Sequence, residues 1–387
     1  MSVSHWQADG TQAIREVDML VIGAGLAGTA VAYFAKQAGR EVVITDMRDI
    51  ALGASGRNAG FMITGLDTHY HRAIEEYGKD VAFEMWDLSR ETIRFWKKIA
   101  ADYDVPLKNI GSLLLSESEK EARDIERAAK ALSEAGIEAI YHDSDPLKRG
   151  YLNAIEQPLD AAVQPYKLTQ AVFRASGAEL IANNEVYSIT QTEADEVIVA
   201  TQRIIFKAQY VMMCTNAYSS LIEPYFQDKV IPTRAQVLMT EPLDKPVIDT
   251  CGYSNYGYMY YRMTFDGCFL IGGGRHKHMA LENDTTEDRI NQPVQQELED
   301  YVRRYFPDVD KPMARRWAGI MGFSVDGLPL AGTLPDKPRV GFAVGFTGHG
   351  LAMGAGVATR AVNRLLHGTS AGAVDISRLD TMPSKTN

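Results

Sequence analysis

The sequence predicts an α/β fold in which a domain built on a parallel βαβ unit interleaves with a domain of mainly antiparallel β-sheet. Three observations carry this. An apolar strand, a glycine turn and an apolar helix open the chain; alternating apolar and aromatic strands fill its middle; a second glycine-rich turn opens the last long helix. With strand–turn–helix signals at both ends and sheet between, the domains are expected to be discontinuous. The first takes 1–75, 150–225 and 315–387, and the second 76–149 and 226–314.

The opening unit is the most explicit. "DMLVIG" reads as a buried strand and "LAGTAVAYFAKQAG" as a helix closed by Gly39. Between them stand Gly23, Gly25 and Gly28 in the spacing G-x-G-x-x-G, and "EVVITD" forms a second strand ending on Asp46, about 20 residues on. Each position has a task in holding a dinucleotide. Gly23 permits the tight turn, Gly25 admits a pyrophosphate to the backbone N–H groups, and Gly28 lets the helix pack on its strand. Leu26 and Ala27 lie in the helix's first turn, and Asp46, followed by Met47, would accept from ribose hydroxyls. The fingerprint does not separate FAD from NAD, since both present the same ADP half. "FLIGGGRHKHMA" at 269–280 is followed by no apolar helix, so Gly272–Gly274 reads as a strand end and one dinucleotide is expected.

Helical patterns follow at 75–102 and 117–135, with the strand "GSLLLS" between them. A helix and strands occupy 163–213, ending in the polar turn Thr215-Asn216-Ala217. "YGYMYYRMTFDGCFLIGG" reads as a hairpin turning at Asp266-Gly267. A helix at 292–305 and a final one at 350–366 complete the set.

Bulk numbers narrow the class. The 387 residues are 45% hydrophobic and 23% charged, an ordinary globular composition. A formal net charge of −10 argues against a nucleic-acid partner, because phosphate recognition wants a basic face. Cys214, Cys251 and Cys268 show no CxxC pairing, which fits a reducing compartment. The start of the chain lacks an apolar core of signal-peptide length. The apolar run 19–35 is broken by three glycines and closed by Asp18 and Lys36, so a cytoplasmic protein without a membrane span is expected. The pairs His69/His71 and His276/His278 lack an assignable third ligand, and no metal is expected.

Four stretches together resemble the amine- and amino-acid-oxidising flavoproteins, which include D-amino-acid oxidase, glycine oxidase, sarcosine oxidase and γ-glutamylputrescine oxidase. They are "VIGAGLAG" with Asp46, "GASGRNAGF" at 53–61, "CTNA" at 214–217, and "GFTGHG" at 345–350 following "DGLPLAG". The "SGRNAG" loop is nearest to the γ-glutamylputrescine oxidase branch. The resemblance implies a Rossmann-type FAD-binding domain, with FAD extended between the first and last helices. Ser55, Arg57, Asn58, Ala59 and Gly60 would reach the pyrophosphate and the flavin edge. Val186, Thr215 and Asn216 would close the ADP side. Gly345, Thr347, Gly348, His349, Gly350 and Leu351 would face the ring, where the last helix's positive end suits the N1–C2=O edge of reduced flavin.

Two departures from the pattern matter. Gly319 or a neighbour stands where sarcosine oxidases attach flavin through a cysteine, so non-covalent FAD is expected. Ile271 and Gly272 stand where those enzymes carry a lysine that assists oxygen. The implied reaction is oxidation of a C–N bond in a small amine or amino acid: hydride to flavin N5, imine hydrolysis, and H2O2 release if O2 is the acceptor. The alternative is a flavin dehydrogenase of an amino or hydroxy acid that passes electrons to a quinone or carrier protein.

On the substrate side, alternation places Tyr256, Tyr258, Tyr260 and Arg262 on one face of the hairpin. An aromatic wall ending in a guanidinium suits a substrate with a carboxylate; the other possibility is that Arg262 pairs with a surface acid. His349 reads as a wall of the site.

Overall fold

The computed structural model describes residues 13–381; the N-terminal stretch read above for a signal peptide lies largely outside them. The chain divides into two compact units, one made of 13–56, 169–232 and 321–381, the other of Arg57–Leu168 and Thr233–Ile320.

The first unit holds a mainly parallel sheet. Its long central strands, Ala13–Ile22 and Ile204–Met213, pair in parallel from Ala13↔Ile204 to Ile22↔Met213. Val42–Thr45 and Glu179–Ile181 extend one side and Lys337–Val344 joins the other, all in parallel. A continuous apolar run such as "MLVI" at 19–22 is fully buried because helices cover such a sheet. Helix Leu26–Gln37 packs beside helix Gly350–His367, and both start at the carboxyl ends of parallel strands. Antiparallel strands Val186–Gln191 and Val197–Thr201 complete the sheet.

The second unit is built on an eight-stranded sheet. Its order is Met313–Ser324, Val230–Pro242, Cys268–Gly273, Met259–Met263, Cys251–Ser254, Ser112–Leu115, Ala154–Gln157, Ile140–His142. Ser112–Leu115 runs parallel to Cys251–Ser254, while the hairpin and its neighbours are antiparallel. One face buries Leu238, Tyr261, Phe269 and Ile271 against helix Gln292–Tyr305. The other packs Val237, Cys251 and Leu270 against Ala59, Phe61 and Ile63.

Two expectations shift. The helical pattern at 75–102 is two helices, Tyr70–Tyr77 and Lys79–Asp102, broken at Gly78 whose φ of 86° no helix accepts. The expected boundaries at 75, 150, 225 and 315 fall elsewhere. Phe61–Met62 and Leu107–Lys108 both pair with Ala161–Val163, which draws 57–75 and 150–168 into the second unit.

Candidate active site

In the first unit the glycine turn is dictated by close approach. Gly23 has φ 107°, and a Cβ there would stand 2.7 Å from the Cys214 carbonyl oxygen. A Cβ on Gly28 would stand 1.8 Å from the Gly23 carbonyl oxygen, so the first helix can lie on its strand only with hydrogen at that position. Gly25 differs. Its missing Cβ faces Ser55 Oγ at 2.9 Å, and that hydroxyl accepts the Leu26 N–H at 2.8 Å. Ser55 is thus held at the mouth of the helix N-terminus, where an anion would sit.

Asp46 fixes the other side of this turn. Its Oδ2 accepts the Ala24 N–H at 2.7 Å and its Oδ1 the Arg48 N–H at 2.8 Å. A carboxylate oxygen accepts more than one bond, so both can still take a ribose hydroxyl. Half-buried Ala27 and exposed Met47 flank the turn. Val186 opens its strand buried in the first unit's core.

Asn216 organises the second glycine turn. Its Oδ1 accepts the N–H of Gly345 at 2.9 Å and of Phe346 at 3.4 Å, and a Cβ on Gly322 would come within 2.6 Å of it. The Thr215 hydroxyl bonds Ser219 Oγ at 2.9 Å. The Thr347 N–H donates to the Gly322 carbonyl at 2.9 Å, with Gly345, Thr347 and Gly348 all at positive φ. His349 is the N-cap of the last helix and gives it no side-chain cap; its Nδ1 lies 3.0 Å from the Thr347 carbonyl. A Cβ on Gly350 would meet no atom within 4 Å, so packing within the protein does not demand glycine there. Leu351, next in the helix, is buried.

These features fit a dinucleotide: two helix starts without a side-chain cap from their N-cap residue, a cleared turn and a fixed carboxylate. Among the described residues no group of His, Cys, Asp and Glu is arranged to hold a metal.

In the second unit the rest of the "SGRNAG" loop is engaged by protein. Arg57 pairs with Asp288 through Nη2–Oδ2 at 2.8 Å and donates from Nη1 to the Ala318 carbonyl at 3.0 Å. Its own carbonyl accepts Trp317 Nε1–H at 2.7 Å. Asn58 Oδ1 accepts the Gly60 N–H at 2.8 Å, an Asx turn. A Cβ on Gly60 (φ 75°) would stand 2.2 Å from the Val163 carbonyl oxygen and 2.6 Å from Arg262 Nη2. Close approach by protein therefore requires Gly60, whatever else approaches.

Arg262 is only 4% exposed. Its Nε donates to the Ala59 carbonyl at 2.6 Å, Nη1 to Met263 at 3.0 Å and Nη2 to Val163 at 3.3 Å. Among the described residues it pairs with no acid; it ties the hairpin to the 59–60 loop and to strand Ala161–Val163. Burial lowers its pKa, the mark of a cation held in an apolar place. Tyr260 shares that face, its ring covering Gly272, where a Cβ would meet it at 2.3 Å. Phe61 and Tyr253 complete an aromatic cluster with centroids 5.1–5.9 Å apart. Burial pushes the Tyr260 hydroxyl up to about 12, so it stays a neutral donor. Tyr258 precedes the strand, and its ring lies tilted by 37° against that of His276 with centroids 4.8 Å apart. Tyr256 leaves the expected face: at φ 55° it sits in the turn, with its hydroxyl on Asp124 Oδ2 at 3.0 Å.

A family model described as FAD dependent oxidoreductase matches residues 18–364. The chain is 26% identical over 375 residues to gamma-glutamylputrescine oxidoreductase of Escherichia coli (strain K12), covering 91% of this chain and 84% of that one. It is 23% identical over 357 residues to glycine oxidase of Bacillus licheniformis, covering 88% and 90%. Among solved structures, L-proline dehydrogenase from P. horikoshii superposes with a TM-score of 0.80 at 23% identity, covering 95% of this chain and 98% of that one. Glycine oxidase from Geobacillus kaustophilus gives 0.78 at 19%, covering 92% and 96%. At such identities the structural likeness is one of fold.

Proposed function

Since the chain belongs to the FAD-dependent oxidoreductase family, we propose that it oxidises the C–N bond of a small amine or amino acid, its first unit holding FAD non-covalently and its second presenting the substrate. The reading is supported by a complete dinucleotide turn in the first unit and by a partly buried aromatic face in the second, beside relatives named for acting on amines or amino acids. Bound FAD supplies the hydride acceptor; the protein supplies orientation and electrostatics.

The chain's own residues have limited tasks. Asp46, the Gly23–Gly28 turn and Ser55 hold the ADP half. The first turn of helix Gly350–His367 offers N–H groups and a positive end to an anionic ring edge. The rings of Phe61, Tyr253 and Tyr260 form an apolar face that would favour the neutral form of a substrate amine and orient its C–H bond. Tyr260, protonated at neutral pH, can donate but not act as a base.

One observation favours a dehydrogenase variant of the reading. Ile271 is fully buried on the opposite face, and the Tyr260 ring takes the space over Gly272. Neither position can place a cation where the resemblance puts the oxygen-assisting lysine. A panel of amines, amino acids and hydroxy acids tests both points. Bleaching of the flavin by amines or amino acids under argon is expected, and bleaching by hydroxy acids alone would overturn the proposal. Peroxide formation in air then tells oxidase from dehydrogenase.

A further inference from the structure

The glycine turn that opens the last helix is cradled by the chain shortly before it. A Cβ on Gly345 (φ 68°) would stand 3.2 Å from Ser324 Cβ and 3.3 Å from Leu330 Cγ. Both ends of the stretch "SVDGLPL", 324–330, thus lie against that glycine. Ser324 also meets Thr347: its N–H donates to Thr347 Oγ1 at 3.3 Å, and the two hydroxyls are 3.2 Å apart. Strand Leu330–Leu334 then pairs with Lys337–Val344, with Leu330 opposite Val344, the residue before Gly345. Where 324–330 sits therefore sets where Gly345–Gly350 sits.

The middle of that stretch is pinned by the segment that follows the last helix. Arg378 holds Asp326 through two parallel bonds, Nε to Oδ2 at 2.7 Å and Nη2 to Oδ1 at 3.0 Å. Its Nη2 also donates to the Leu328 carbonyl at 2.8 Å, and its Nη1 to that of Asp375 at 3.1 Å. A bidentate guanidinium–carboxylate pair fixes direction as well as distance. The Asp326 side chain is only 2% exposed, and the best-attested use of a buried ion pair is to select one arrangement. The same segment is fastened to the body of the last helix. Arg360 Nη1 donates to the Ala371 carbonyl at 3.1 Å, and Arg364 Nε lies 3.6 Å from Asp375 Oδ2. That oxygen accepts the Ala371 N–H at 2.9 Å. Ile376 covers Gly332, where a Cβ would stand 2.5 Å from its Cγ2. The segment is a brace between the helix and the stretch that cradles the helix's start.

We propose that Arg378 is a positioning residue for the cofactor: by holding Asp326 it fixes how the N–H groups at the start of the last helix are presented to the flavin ring edge. It thereby sets the affinity for FAD and the ease with which bound FAD accepts electrons. The proposal rests on the reading that this helix start faces the ring. Without the guanidinium, the buried Asp326 carboxylate loses its charge partner and 324–330 shifts, so the ring edge loses donors that were already aligned.

Titration of the apoprotein with FAD tests this, comparing the wild type with Arg378→Gln, Arg378→Lys, Asp326→Asn and Val199→Ala. Val199 is buried in strand Val197–Thr201, outside the brace, so its truncation lowers stability alone. For Arg378→Gln and Asp326→Asn the dissociation constant for FAD should rise roughly tenfold or more. At full occupancy their flavin spectrum should change and their reduction potential fall, because an anionic reduced ring is less well held. Arg378→Lys should recover part of both effects, since an ammonium reaches the carboxylate but cannot span Asp326 and two carbonyls. It also carries the test if the glutamine variant does not fold. Val199→Ala should melt earlier and keep the wild-type spectrum and potential. Arg378 and Asp326 variants that behave like Val199→Ala, less stable with an unaltered flavin, overturn the proposal. A wild-type spectrum and affinity in Gly350→Ala is a different result and overturns the placement of the ring itself.

Discussion

Arg262 Nε donates to the Ala59 carbonyl oxygen at 2.6 Å, joining the hairpin to the loop that precedes strand Phe61–Met62. With Val163 and Met263 also accepting from its guanidinium, the side chain is a clamp on three main-chain carbonyls. Arg262→Ala should therefore lower the stability of the second unit by about 2–4 kcal/mol in chemical denaturation, because buried carbonyls lose their donors. Catalysis should suffer alike with acid and acid-free substrates. A selective loss on acid substrates at wild-type stability would restore Arg262 to the substrate.

Gly28 and Gly350 should both matter to FAD, but for different reasons. Gly28→Ala puts a Cβ 1.8 Å from the Gly23 carbonyl oxygen and should abolish FAD retention, read as flavin per chain after gel filtration. Gly350→Ala enters open space and should leave the melting temperature of the apoprotein unchanged while weakening FAD binding and altering the flavin spectrum. A Gly350→Ala holoprotein with the wild-type spectrum and affinity would place the ring elsewhere.

Burial raises the Glu121 carboxyl to about 7, against the pull of the Glu117 and Tyr256 N–H groups that it accepts; the Glu117 and Asp124 charges add to the rise. The native state then keeps a proton that the unfolded chain has lost. Stability from this group is full below about 4.5 and declines as pH rises through about 7. His69, lowered to about 4 chiefly by burial, acts in the opposite direction between its two values. The difference between wild type and Glu121→Gln isolates the carboxyl. From pH 4.5 to 7 the wild type should lose on the order of 3 kcal/mol relative to the variant. A pH-independent difference would show that Glu121 is ionised in the native state.

Much of the frame was legible in the sequence, because it rests on local signals. The βαβ unit, the hairpin turning at Asp266-Gly267, helix Gln292–Tyr305 and the glycine-opened last helix each follow from periodicity and turn chemistry. What was not legible depends on residues far apart in the chain. Nothing near Arg262 signals that Ala59 and Val163 wait to accept from it, and Gly60 looks like a cofactor glycine until Val163 and Arg262 are seen against it. Pairing across about a hundred residues, Phe61 with Ala162, likewise moved the unit boundaries.

Non-covalent flavin is expected because Gly319, whose absent Cβ faces Arg57 Cβ at 3.4 Å, and its neighbours in "WAGIMGFS" offer no thiol. Acid precipitation should release all the flavin into the supernatant as FAD. Flavin remaining with the pelleted chain would reveal a covalent link through another residue.

The most direct test of the account is a single anaerobic turnover of the holoenzyme with an open-chain amine or amino acid that bleaches it, reading flavin absorbance and released amine or ammonium on the same sample. C–N bond oxidation predicts one molecule of amine or ammonium, and one of carbonyl product, for each flavin reduced. Flavin reduced with no nitrogen released, or reduced only by hydroxy acids, would contradict it.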